Sequence, residues 1–554
     1  MSVSDMALDL NIKEKEIQRY CLRHKLIINQ KTDNNLNIKN NIDNFNFSRF
    51  IYENLWVFIV LMFLIFISYF NSLDNAFVSD DIAGILRNPM VGKFSNIFNT
   101  PLKFSPQTFF HFIAYHIGGL DPAYFRIFNI IIHMTSTFIL FIILCLIANK
   151  KIAVFTSVIF SVHPILTESV TWLSGMPYSL SSLFILLSII LYILKKNKIM
   201  YFLSIISYAL ALLTSEKTIA FILIIILFEI LTGDIKKKWK FLSTYASLGT
   251  LYTMILIGRI GQRTESLKTE HYQEGGVDNP LIQVPISIVN YLKLIFWPKS
   301  LTLYHTDLMV TWTGYLIILA IFIVFLGIIV YGYKKNRQMF FWLSFFLISL
   351  FPVLTPLRIS WVVAERYVYL GSIGIFVVIS MGFAKLSEYE KWKPYVYSVF
   401  AIIVIALSVR TILRNNDWQN EDTLWIATAK VSDAGPVIHN NLGDMYARHG
   451  DLEKAVTEFK RSTEINPRYA DGYHNLALTY IQMQKYDLAI ENFQKALSIN
   501  PNIWQSHQQL AAIYFYQEKF DKALEEVNIA LTIDPNNPEL KQNFEIISQK
   551  AGGN

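Results

Sequence analysis

Two adjacent carboxylates, Asp80 and Asp81 in AFVSDDIAGILRNP, follow directly on a long apolar run. A carboxylate held beside a bilayer can take a proton from an acceptor hydroxyl, which is general-base chemistry. The same pair also reads as solvated loop residues or a helix N-cap. Three more sites of the same kind recur along the chain. His163-Pro164 is followed by Glu168 in SVHPILTESVTW, Glu216-Lys217 sits in LLTSEKTIAF, and Arg358, Glu365 and Arg366 lie in PLRISWVVAERYVYLGSIG. A guanidinium suits bidentate binding of a phosphate oxyanion, and charges at membrane depth mark function by default. Each also has a structural reading: a Pro-bounded turn with a capping His, an ion pair closing a short turn, or an interfacial Arg reaching for headgroups. Taken together they put a general base and several cations on one face. That is what glycosyl transfer from a polyprenyl-phosphate sugar needs: the base activates the hydroxyl, and the cations stabilise charge developing on the leaving phosphate. The base is Asp80 or Asp81. Arg366, Arg358, Lys217 and His163 are the candidates for the donor phosphate, with Glu168, Glu216 and Glu365 in support. No metal-ligand spacing is present, and cations can replace a metal. No cofactor is expected; the lipid-linked sugar is a substrate.

The elements that must position these residues are apolar. The chain has 554 residues, 53% of them hydrophobic, a formal net charge of +7 and a mean hydropathy of +0.35. Apolar runs fall near 55–70, 123–148, 152–163, 169–194, 199–214, 217–233, 241–258, 314–333, 339–354, 366–384 and 395–412. Several are short against the ~20 residues of a spanning helix. The stretch 287–298, ending at Pro298, reads as an interfacial or re-entrant helix. Basic clusters lie at Lys150-Lys151, Lys195-Lys196, Lys236-Lys237-Lys238, Lys334-Lys335 and Lys391-Trp392-Lys393, after every second run. If these are cytoplasmic, the N-terminus is inside, every chemical candidate lies outside, and a count of about eleven spans puts the C-terminal region outside. Scattered basic residues of this kind give no sign of nucleic-acid binding. The two cysteines, Cys21 in the polar N-terminal arm and Cys145 in an apolar run, are not expected to pair. Residues 1–50 are Asn/Lys-rich and predict a mobile arm, with a short helix at IKEKEIQRY.

The C-terminal part is of another kind. Pro467, Pro501 and Pro535 recur at about 34 residues, the tetratricopeptide (TPR) period. Leu442, Gly443, Tyr446, Ala455 and Phe459 precede the first proline, Leu476, Ala477, Tyr480, Ala489 and Phe493 the second, and Leu510, Ala511, Tyr514 and Ala523 the third. Small residues let paired helices approach and large ones fill the space between repeats. EDTLWIATAKVSD would cap the array on the membrane side and PELKQNFEIISQK at the far end. By register Asn440, Asp444, Arg448, His474, Gln482, Gln508 and Tyr516 line the inner groove. They read as a groove for an extended polypeptide or, alternatively, as a solvated face.

These features together resemble a known family, the transmembrane and tetratricopeptide-repeat-containing O-mannosyltransferases and their microbial relatives, of the multispanning GT-C glycosyltransferase fold. The motifs that carry the resemblance are FVSDDIAGILRNP, HPILTESVTWLSG, WPKSLTLYHTD, AERYVYLGSIG and RNNDWQNEDTLW, in that order, with the TPR tail. The resemblance implies an inverting transfer of a sugar, commonly mannose, from dolichyl- or polyprenyl-phosphate to Ser/Thr hydroxyls, with the acidic motif supplying the catalytic Asp.

The expected architecture is all-α. A polar arm (1–50) precedes a GT-C-like transmembrane domain (51–412), then a linker and capping helix (413–435), three TPR repeats (436–535) and a C-terminal cap and tail (536–554). The expected partners are the polyprenyl-phosphate sugar, the bilayer and a protein acceptor held by the array. Two alternatives remain at this stage: the same chemistry on a lipid or cell-surface glycan, or a non-enzymatic membrane scaffold whose array docks partners.

Overall fold

The computed structural model describes residues 41–99, 104–194, 197–232, 235–270, 279–306, 308, 310–354 and 361–551. Most of the N-terminal arm, with its expected helix and Cys21, lies outside these residues, as does Arg358.

All the expected apolar runs fall on helix. In chain order the body comprises α1 (Phe47–Tyr69), α2 (Pro106–Gly118), α3 (Pro122–Ile147), α4 (Lys150–Val162), α5 (Thr167–Thr171), α6 (Met176–Ile193), α7 (Lys198–Thr214), α8 (Phe221–Thr232), α9 (Ile235–Glu270), α10 (Pro280–Phe296), α11 (Trp312–Lys335), α12 (Arg337–Leu350), α13 (Ser372–Leu386) and α14 (Lys393–Asp417). The helices start where side chains can satisfy their first amides. Asn46, Asp121, Asn149, Asn197, Thr311 and Asn336 accept from Arg49, Ala123, Ile152, Met200, Gly314 and Met339 at 2.9–3.2 Å. Three of these caps, Asn149, Asn197 and Asn336, belong to the basic clusters, so the turns that carry positive charge are also helix starts.

This is a membrane protein. Five helical stretches among the described residues are long and apolar enough to cross a bilayer, and α4 and the Pro164–Thr171 segment are so as a pair, bent by 56° as a broken span or a re-entrant loop. The break falls where Pro164 cannot donate to the helix ladder. Of the five remaining expected spans, those over α7, α12 and α13 are shorter apolar helices, as is α10, while those over α8 and α9 fall on helix without being among the spanning stretches. α11 shows where lipid must lie: only 11% of its apolar window is buried, and Leu316, Ile317, Ile321, Ile323 and Val324 are exposed. A helix apolar on every side and covered only along the narrow face of Phe325, Ile329 and Gly332 needs a hydrocarbon solvent on the rest.

The soluble part begins without a gap. α14 continues past the expected boundary to Asp417, and after three intervening residues the cap helix α15 (Glu421–Ala429) starts with a reciprocal capping box between Asn420 and Thr423. Six repeat helices follow: α16 (Pro436–Arg448), α17 (Leu452–Ile465), α18 (Ala470–Gln482), α19 (Tyr486–Ile499), α20 (Trp504–Tyr516) and α21 (Phe520–Ile533), closed by α22 (Pro538–Ala551). Ala455, Phe459, Leu476, Ala477, Ala489, Phe493, Leu510, Ala511, Ala523 and Val527 form their core. Gly443 is required by packing: a Cβ there would come within 2.7 Å of the Phe459 ring.

The two parts share a core. Val78 of the first acidic loop, Trp172, Leu303, Trp418 and the cap residues Leu424 and Trp425 pack with Ile438, Leu442 and Met445 of the first repeat helix. The array is therefore seated on the membrane body through α15 and α16, not strung from it by a flexible linker.

Candidate active site

Four chain segments meet at the end of the bundle where the array sits. They are the loop 73–81 after α1, the turn 163–175, the turn 215–220 before α8, and the segment 361–371 before α13, with the loop 297–306 packed against them. Arg126, in the first turn of α3, ties two of them together. Its side chain is buried; Nη1 donates to the carbonyl of Asn75, Nη2 to that of Ala76 at 2.6 Å and Nε to that of Thr171 at 3.1 Å. Asn415 of α14 joins α1 and α5, donating to the Ser68 carbonyl at 2.8 Å and accepting from Thr171 at 2.7 Å. Gly175 allows the turn to fold on itself, because a Cβ there would meet the Glu168 carbonyl oxygen at 2.3 Å.

The acid pair is split by this scaffold. Asp81 is buried and one of its oxygens accepts from both the hydroxyl and the amide of Ser174, at 2.6 and 2.8 Å. Burial pushes its carboxyl up to about 6, opposed by the Ser174 hydrogen bonds and the charge of Arg126. Asp80 is exposed. It follows Ser79, whose φ of +54° makes it one of three non-glycine residues with positive φ among those described. The charge of Asp80 reaches the half-buried Tyr304, whose hydroxyl is pushed above its ordinary range first by burial and next by Asp80, while Arg366 pulls it down.

The cations gather beside them. Arg366 is buried and bound by Glu168: Nη1 pairs with Oε1, and the Arg366 amide donates to Oε2 at 2.8 Å. Its guanidinium carbon lies 5.5 Å from the Trp172 ring, 5.1 Å from Tyr367 and 5.9 Å from Tyr178. Lys217 reaches the same rings, with Nζ 3.3 Å from the Tyr367 centroid and 3.2 Å from the Tyr178 hydroxyl. Arg366 and Lys217, from turns far apart in sequence, thus share Tyr178 and Tyr367 as walls. Glu216 stands half-buried at the head of the Lys217 turn.

Two candidates are placed elsewhere. Both nitrogens of His163 are engaged, Nε2 with the Ile295 carbonyl at 3.0 Å and Nδ1 accepting the Ile165 amide at 3.2 Å, in a 2% exposed setting. It caps the broken span and is not available to a donor phosphate. Glu365 faces away from Arg366: it accepts from the Thr302 amide and from Arg414 at 3.3 Å, and so fixes the 297–306 loop to α14. Among the described residues no group of three or more His, Cys, Asp or Glu side chains is arranged to hold a metal.

The groove candidates divide in the same way. Asn440 is buried and accepts from Asn475 at 3.0 Å, while His474 bonds Ser506 at 2.7 Å and meets Phe493 edge to face, so these two hold neighbouring repeats together. Arg448 bonds Asp444 at 2.9 Å and Asp422 of the cap at 3.0 Å. Gln508 donates to Glu539 at 2.8 Å. Gln482 and Tyr516 are exposed, Tyr516 at 87%.

Sequence reasoning missed Arg126, Ser174, Tyr178, Tyr304, Tyr367 and Glu421. Arg126 carried a signal, an arginine inside a long apolar run. The others are ordinary residue types whose role depends on which segments meet.

Comparison with known proteins agrees with this division. Two repeat families match the array, "Tetratricopeptide repeat" over residues 470–503 and "TPR repeat" over 443–484. Along most of its length the chain is similar to protein O-mannosyl-transferases. It is 26% identical to the human Protein O-mannosyl-transferase TMTC3 over 473 residues, covering 74% of this chain and 52% of that protein. It is 24% identical to human TMTC4, covering 72% and 65%. The chain thus spans about half the length of the first of these relatives. Among solved structures, ArnT from Cupriavidus metallidurans bound to undecaprenyl phosphate aligns over 83% of this chain and 81% of its own, with 13% identity and a TM-score of 0.40.

Proposed function

We propose that this chain is a membrane glycosyltransferase that moves mannose from a polyprenyl-phosphate donor to Ser/Thr hydroxyls of a protein acceptor on the extracytoplasmic side. The observation that carries the reading is that the loop of exposed Asp80 is bonded through Asp81 to Ser174, in the same turn whose Glu168 pairs with Arg366, and that Tyr304 feels the charge of both Asp80 and Arg366. The names of the relatives, which combine mannosyl transfer with a protein acceptor, support the choice of sugar and acceptor.

The chemistry follows from the two groups. Asp80 accepts the proton of the acceptor hydroxyl as its oxygen attacks the anomeric carbon. The bond from that carbon to the phosphate oxygen breaks on the opposite face, and the configuration inverts. Arg366, with Lys217, meets the charge that develops on the departing polyprenyl phosphate. Aimed from a site walled by Trp172, Tyr178 and Tyr367, these cations act with little competition from water. Asp81 and Glu168 hold the base loop and the cation rather than react. The array presents the acceptor above the base.

The test is a transfer assay with radiolabelled polyprenyl-phosphate mannose and a Ser/Thr-rich acceptor protein, together with mass spectrometry of lipid co-purified with the protein. Label in a β-eliminable linkage to the acceptor is expected. Label released only to water or to lipid, with none on protein, would overturn the acceptor assignment.

A further inference from the structure

Resting on the reading of Asp80 as base, we propose that Glu421, at the start of the array's cap helix, is a positioning residue for that base and makes the cap part of the catalytic apparatus. Glu421 Oε1 accepts the backbone amide of Ser79, the residue immediately before Asp80. Its other oxygen accepts the Trp425 indole N–H at 2.9 Å, which fixes the carboxylate from behind. Three residues earlier in the loop, the Ala76 amide donates to the carbonyl of Gln419 at 2.8 Å. The segment leading to Asp80 is thus hydrogen-bonded at two points to the three residues 419–421 of the connection into the array.

The backbone at Ser79 gives this bond its consequence. A φ of +54° is held by a residue with a Cβ only where its surroundings over-determine it. Asp81 is anchored on the other side of Asp80 by Ser174. Asp80 therefore stands between two fixed points, and the Ser79 amide bond decides which way its carboxylate faces. Glu421 is itself placed by the array. Trp425 packs in the cluster that holds Ile438, Leu442 and Met445 of the first repeat helix, and its ring lies 6.0 Å from that of Tyr304. A displacement of α16 is passed to Trp425, to Glu421, to Ser79 and so to the base.

Glu421→Ala removes the acceptor and lets Ser79 relax. A shift of about 1 Å in a positioned group costs on the order of 100-fold in rate, so kcat is expected to fall by that order while KM and affinity for polyprenyl-phosphate mannose hold. Glu421→Gln keeps one acceptor oxygen but turns its NH2 group against the Trp425 N–H. Adding Trp425→Phe removes that conflict, so the double variant is expected to recover rate relative to Glu421→Gln alone. Asp80→Asn is run in parallel. If Asp80→Asn abolishes turnover and Glu421→Ala keeps the wild-type kcat, the positioning role is overturned and the proposed function stands. If Asp80→Asn is itself fully active, both fall. A loss of donor affinity in Glu421→Ala equal to its loss of rate, without recovery in the double variant, reduces Glu421 to a structural strut and also overturns the inference.

Discussion

Ser174 gives both its hydroxyl and its amide to one oxygen of Asp81, at 2.6 and 2.8 Å. The two neighbouring aspartates are thereby assigned different work: Asp81 is anchored in the interior while Asp80 is left at the surface of the site. Asp80→Asn is expected to lower transfer by roughly 100-fold or more, the scale of a lost general base, with an unchanged melting temperature. Asp81→Ala is expected to do the reverse in kind. It leaves two half-buried Ser174 donors unmatched, at about 1 kcal/mol or more, and is read as a lower melting temperature. Equal kinetic defects in both variants, with equal stability, would refute this division.

The burial of Asp81 also predicts a pH dependence of stability. Its carboxyl is pushed up to about 6 in the folded protein, against about 4 in an unfolded chain. Below about 4 both states bind the proton. Between about 4 and about 6 the folded state still holds a proton that the unfolded chain has released, so raising the pH through this window removes stability. Above about 6 this group contributes no further slope. Melting curves of the detergent-purified protein from pH 4 to 7 should show the loss, and Asp81→Asn should flatten it. An identical slope in that variant would assign the effect to another group.

What the sequence made legible follows from the range of each signal. The helices were readable because a run of apolar residues is a local property, and all of the runs were found. Their number as full spans was not, because α7, α12 and α13 are apolar runs whose helices end short of a spanning length. The repeat was readable because small and large residues recur at one period, and Gly443 against Phe459 shows why. The candidate cluster was readable only where a charge stands in an apolar setting, as with Arg366, Glu168 and Lys217, which the fold brings to one place. His163 misled for the same reason: a polar residue at a membrane turn also arises when a proline leaves a turn to be capped, as the Ile165 amide is here. Tyr304 and Glu421 were silent, since a loop tyrosine and a helix-start glutamate acquire meaning only when the acidic loop folds against them.

The pair of Glu168 and Arg366 predicts two separable defects. Arg366→Lys keeps the charge but loses the planar fork that both bonds Glu168 and lies near the Trp172 and Tyr367 rings. Donor affinity is expected to fall about tenfold or more, the worth of a hydrogen bond to a charged group. Glu168→Gln leaves a buried guanidinium without its counter-charge and is expected to cost about 3–5 kcal/mol of stability. Titration with polyprenyl-phosphate mannose and thermal unfolding read the two. If Arg366→Lys binds donor as well as the wild type does and only melts earlier, Arg366 is a structural ion-pair partner.

The proposed sidedness predicts opposite accessibility at two positions. Asn440 is too buried to report it, but Tyr516 is 87% exposed at the end of α20, and Asn197 is exposed in a basic turn. A cysteine at 516 is expected to react with an impermeant maleimide from the extracytoplasmic side, and one at 197 only after permeabilisation. The opposite pattern would invert the orientation.

The shared core between body and array predicts that where the array is cut decides what is lost. Ile438, Leu442 and Met445 of α16 pack with Val78, Trp172 and Leu303, so removing residues 436–554 uncovers apolar surface at the acidic loop itself. That truncation is expected to lower the melting temperature and to abolish donor hydrolysis as well as transfer. A cut after Arg468 keeps α16 and α17, the cap and the Glu421 bond. It is expected to retain slow hydrolysis of polyprenyl-phosphate mannose and to lose transfer to protein, because what remains holds the loop but no longer concentrates the acceptor above it. The face of α17 uncovered by the cut needs a polar substitution at Val456 only if the shortened chain is not monodisperse, since terminal repeats require a soluble outer face. If the first truncation hydrolyses donor as well as the second does, the array is a tether and the seam at α16 has no catalytic role. If the second still transfers to protein at the full rate, repeats two and three do not recognise the acceptor, and recognition belongs to the seam.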